Sequence, residues 1–104
     1  MPPSTQRVSA QAHPTGAQIR AARGLLNLSV AQLAERTRLG INTIKRAEAT
    51  NDVAPITAAN AKLIVSTLEE AGVEFIPPHG NAGAGVRFAT SEAERDTYQP
   101  RRRG

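Results

Sequence analysis

Residues 29–48 run Ser-Val-Ala-Gln-Leu-Ala-Glu-Arg-Thr-Arg-Leu-Gly-Ile-Asn-Thr-Ile-Lys-Arg-Ala-Glu. Ser29 with Gln32 three residues on is a capping-box pair: the hydroxyl accepts from the Gln32 amide, the Gln32 side chain returns to the cap amide, and a short helix opens there. Leu33 and Ala34 take its inward positions. Leu39-Gly40 marks a break. A further helix is predicted from about Ile41 to Ala49, with Ile44 and Ala47 inward and Asn42, Lys45 and Arg46 outward. Two short helices joined by a tight turn, the second with a polar outer face, form the centre of the chain.

On the N-terminal side, Thr15 with Gln18 repeats the capping signal and places a helix start at about Gly16. Ile19, Ala22, Leu25 and Leu26 recur at helical spacing, Arg20 and Arg23 take other positions around that helix, and Asn27 is a left-handed stop. On the C-terminal side, Thr50-Asn51-Asp52 and Pro55 form a loop, and Thr57 caps a helix. Its apolar stripe is Ala61, Ile64, Leu68 and Ala71, with Leu63 beside it, and Gly72 terminates it. Beyond Gly72 the period changes to two. Val73–Ile76 and Val86–Phe88 alternate like strands, and Pro77–Gly85 between them makes a loose hairpin loop. The glycines of that loop lack the Lys-Ser/Thr ending of a phosphate-binding loop and read as turn residues. Residues 1–14 and 89–104 show no periodicity and read as a disordered arm and a disordered basic tail closing on Arg101, Arg102 and Arg103. The expected fold is mainly α, four to five helices over residues 15–72 with a small β-hairpin at 73–88.

The whole chain has 104 residues, 39% hydrophobic and only 3% aromatic, so its core must be built from Leu, Ile, Val and Ala. A core of that kind leaves no large enclosed substrate cavity. The absence of cysteine excludes disulfides and thiolate zinc sites. His13 and His79 with Glu35, Glu48 and Asp52 form no acid–base or metal constellation, so neither catalysis nor a cofactor is expected. No apolar run approaches the roughly 18 residues of a membrane span, and a cytoplasmic protein is expected. The net charge is +4. Its distribution says more: Arg20, Arg23, Arg36, Arg38, Lys45 and Arg46 face only Glu35, Glu48 and Asp52 within residues 15–56, whereas residues 57–88 lean acidic. A basic half beside a mildly acidic one points to a polyanion such as nucleic acid.

The paired short helices are the ingredients of a helix-turn-helix. Through Leu33-Ala34, Leu39, Thr43-Ile44 and Arg46 with Glu48, residues 16–71 resemble the Cro/phage-repressor (xenobiotic response element) family of DNA-binding transcriptional regulators. Ala71-Gly72-Val73-Glu74-Phe75-Ile76 and Gly85-Val86-Arg87 resemble a C-terminal extension of short bacterial members. The resemblance implies a partly buried ion pair between Arg23 and Glu48, tying the first helix to the third. The chain departs from the family pattern at several places. Val30 stands where Gln usually reaches a phosphate, Arg38 replaces the turn glycine, Gly40 replaces a Ser or Thr cap, Ile41 is apolar at a base-reading position, and Ala47 is smaller than usual.

The residues expected at double-stranded DNA are Ile41, Asn42, Thr43, Lys45 and Arg46 on the third helix, with Gly40 at its start. Asn pairs with adenine edges, Arg and Lys with guanine or phosphate, and Ile41 suits a thymine methyl. Arg36 and Arg38 flank the turn and suit backbone phosphates. One such helix buries little surface, so a homodimer reading two half-sites is expected, with the hairpin edges as its pairing element. The alternative is a protein-interaction module on the same fold (an antiactivator, antitoxin or corepressor) that binds a regulatory protein partner; Val30, Arg38, Gly40 and Ile41 favour it.

Overall fold

The computed structural model describes residues 13–91. Along the chain these form α1 (Gly16–Leu26), α2 (Val30–Thr37), α3 (Ile41–Glu48), α4 (Ala58–Glu70), β1 (Val73–Ile76) and β2 (Gly85–Phe88). Local chemistry sets most of the boundaries. Thr15 Oγ1 accepts from the Gln18 amide at 3.0 Å while Gln18 Oε1 accepts from the Thr15 amide at 2.9 Å, a complete capping box at α1. Ser29 and Gln32 repeat it at α2. Asn27 closes α1 at φ 58, a conformation asparagine tolerates. Thr57 Oγ1 accepts from the Asn60 amide and caps α4.

All the described elements contribute to one core, in which Ile19, Ala22, Leu33, Ala34, Ile44, Ala47, Ile64, Leu68, Val73 and Phe75 are buried. Leu28, Val65 and Thr37 are buried as well, outside the positions expected from periodicity. Leu63 points outward at 40% exposure. The hairpin is antiparallel, with Val73 opposite Phe88 and Phe75 opposite Val86, so those four share one face, which packs against α1 and α4.

Three expectations need correction. The hairpin loop is tighter than Pro77–Gly85: Gly85 already belongs to β2, and His79 and Ala82 exchange two backbone hydrogen bonds of 3.0 and 2.9 Å around Gly80-Asn81. Gly80 takes φ 59 there, the positive angle a two-residue hairpin turn of the II′ kind demands at its first centre. The N-terminal arm ends sooner than residue 14. Pro14 is buried and its carbonyl accepts from the Ala54 amide, the Gly16 amide donates to Asp52 O at 2.9 Å, and Thr15 bridges Val53. At the far end the Ala89 amide donates to Gly72 O at 2.8 Å, which carries the hairpin pairing past Phe88 and into the expected tail. Of the two expected tails, residues 1–12 and 92–104, with Arg101, Arg102 and Arg103 among them, lie outside the described residues. Among the described residues no helix is long and apolar enough to cross a membrane.

Candidate nucleic-acid interface

The C-terminal end of α3 is held against α1 by three residues spaced along one side of α1. Gly16 lies so close that a Cβ there would run into the backbone oxygens of Thr50 and Ala47, the latter at 2.6 Å. Arg20 donates from Nη1 to the carbonyls of Glu48 and Thr50 and from Nη2 to Asn51 Oδ1. Its positive charge therefore sits at the negative end of the α3 dipole. Arg23 donates from Nε and Nη2 to the two Glu48 carboxylate oxygens, both at 2.7 Å, and from Nη1 to Leu28 O at 3.0 Å. Glu48 is 7% exposed and Arg23 21%, so the pair is partly shielded from water.

Hydrogen bonding to the Glu48 carboxylate raises the Arg23 guanidinium above its ordinary pKa, against an opposing effect of burial. A raised folded-state pKa keeps its stabilisation in full below arginine's ordinary value and loses it only as pH climbs through the higher folded value. Arg23 therefore holds its charge across the physiological range. Glu48→Ala leaves the guanidinium short of its bidentate acceptor and is expected to cost about 1–3 kcal/mol. For a domain of this size that is a fall in Tm of about 4–8 °C per kcal/mol, read by thermal melting. A melt within 1 °C of the parent would contradict a stabilising pair.

The outer face of α3 is built differently. Asn42, Lys45 and Arg46 are exposed, Thr43 is half-buried, and Ile41 is 44% exposed. Arg36 near the end of α2 and Arg38 in the turn are also exposed. Gly40 precedes α3 in extended backbone and offers no side-chain cap. The side chains of Arg36, Arg38, Asn42, Lys45 and Arg46 have no hydrogen-bond or ion-pair partner among the described residues. Among the described residues, cations and one amide thus lie without partners on the turn and outer face of a helix whose other side is fixed.

Beside this face runs an open groove of about 550 Å³, lined by Thr43 and Arg46 of α3 and by Pro55, Ile56, Thr57 and Asn60 at the start of α4. Thr43 and Arg46 were expected at the interface. The opposite wall was not, because loop residues and a cap carry no periodic signal of what they face. Arg20 was likewise legible only as a position around α1; its partners are carbonyls at the far end of α3. No protein-family model matches the chain, and no curated protein matches it.

Proposed function

We propose that α2, the turn at residues 38–40 and α3 act as a helix-turn-helix of the Cro/phage-repressor kind, and that the protein is a sequence-specific regulator of transcription that binds double-stranded DNA. The observation that carries this reading is the unpaired polar and basic outer face of α3 on a helix whose opposite side and C-terminal end are tied down. A rigidly held donor array suits base-edge recognition, which tolerates little misplacement. Asn42, near the start of α3, reads an adenine edge, and Ile41 contacts a thymine methyl. Lys45 and Arg46, one turn on, reach guanine or phosphate. Arg36 contacts backbone phosphate, and the groove beside Arg46 receives the sugar–phosphate chain. Two copies joined through the open edges of the β1–β2 hairpin present two α3 helices to half-sites about one helical turn apart.

Selection of bound sequences from a random DNA pool, followed by footprinting, tests the activity and the half-site spacing together. On the selected site Asn42→Ala is expected to cost about 1–3 kcal/mol and to relax preference at one base pair. Arg36→Ala serves as the comparison, weakening specific and random DNA by similar factors. If Ile41→Ala, Asn42→Ala and Lys45→Ala all leave binding and preference intact, α3 does not read DNA. The exposed Ile41 favours a second reading in that event, a surface for a regulatory protein partner, as apolar side chains at the opening of an exposed helix suit protein contacts.

A further inference from the structure

We infer that Arg38 is kept in the turn between α2 and α3 at the expense of the fold, and that its guanidinium is a backbone-phosphate contact; this rests on the DNA-binding reading above. Arg38 sits at φ 64, ψ 23, the left-handed region, and its amide donates to Ala34 O to close α2. The only other non-glycine described residue with positive φ is Asn27, a type that visits this region readily. Arginine does not: its Cβ crowds the following carbonyl, and glycine would take the same angles without strain. No side-chain contact among the described residues offsets this. The Arg38 side chain is exposed and makes no hydrogen bond or ion pair among the described residues, so it gives the folded chain nothing for the strain its backbone bears.

Strain held at a solvent-facing position by an unpartnered cation belongs to a site whose ligand is absent from the free chain. The chemistry of that ligand follows from the surroundings. Arg38 is two residues from Arg36 and two from Gly40, which opens α3, so it lies at the rim of the proposed DNA face. A guanidinium at the rim meets phosphate oxygens, which carry no sequence information.

The test compares full-length protein with Arg38→Gly and Arg38→Lys, measuring melting temperature and DNA affinity at several salt concentrations, on the selected site and on random DNA. Arg38→Gly is expected to raise Tm by about 4–8 °C through relief of the left-handed strain. Its affinity is expected to fall about fivefold at 0.15 M salt, equally on both DNAs, with the slope of log K against log salt flatter by about 0.9. Arg38→Lys, which keeps the charge, should retain most of the affinity and leave Tm near the parent value. A more stable Arg38→Gly with unchanged affinity overturns the phosphate contact, and a less stable one overturns the strain. A changed base preference in Arg38→Gly overturns the assignment to phosphate. Should the parent protein itself show no DNA binding, the underlying functional reading fails first, an outcome recognisable before any variant is compared.

Discussion

Gly16→Ala is expected to destabilise the domain by about 3 kcal/mol, the upper end of what overpacking costs, and to lower Tm by roughly 12–24 °C. The added methyl would sit against the carbonyl oxygens of Thr50 and Ala47. Backbone oxygens cannot rotate aside as a side chain would, and these lie at the end of α3, where Arg20 grips the Glu48 and Thr50 carbonyls. Relief requires α1 and α3 to separate, which breaks the hydrogen bond from the Gly16 amide to Asp52 O and opens the core beneath Ile19 and Ile44. Gly24 supplies the control within the same helix. A Cβ there meets nothing within 4 Å, so Gly24→Ala should stabilise by about 0.5–1 kcal/mol through helix propensity. Thermal melts of the two variants moving in opposite directions would locate the effect in the close approach. Melts moving alike would remove it.

Gln18→Leu is expected to cost about 2–4 kcal/mol while keeping the residue's volume. Gln18 is 2% exposed, and its amide has two tasks. Oε1 completes the cap of α1, and Nε2 donates to Ile76 O at 3.2 Å and Gly85 O at 2.9 Å. Those two residues face each other at the loop end of the hairpin. Leucine leaves the Thr15 amide and both carbonyls without this partner in a place water reaches poorly. Chemical denaturation reads the loss of stability, and amide exchange locates it: β1 and β2 should lose protection before α4 does. Loss confined to the start of α1, with β1 and β2 as protected as in the parent, would mean that Gln18 serves the helix cap alone.

The contrast between Gln18 and Asn27 shows what a sequence makes legible. Both capping boxes and the Asn27 stop involve groups within a few residues, so their chemistry can be read directly from spacing. The second task of Gln18 joins positions 58 and 67 residues apart, and no pattern along the chain announces it. Arg20 was hidden for the same reason. Periodicity identified the apolar face of each helix but missed Leu28, which lies between helices, and Val65, which lies beside the expected stripe. No periodicity sets Pro14 apart from the arm before it; its burial comes from the pairing of residues 14–16 with residues 52–54. At the proposed interface, the outward direction of Asn42, Lys45 and Arg46 follows from their spacing relative to Ile44 and Ala47. The second wall of the groove depends on where α4 begins in space.

That pairing of residues 14–16 with 52–54 also decides how the domain bears load. A pull applied at Pro14 bears on the hydrogen bonds that join Pro14 to Ala54 and Gly16 to Asp52, and through them on the segment that follows α3 as well as on the start of α1. A pull applied at Ala89 bears instead on its hydrogen bond to Gly72 and then on the pairing of β2 with β1. The two ends of the described fold are therefore mechanically unequal. Cargo fused at the front tugs on the helix proposed to read DNA, whereas cargo fused at the back tugs on the element proposed to join two copies.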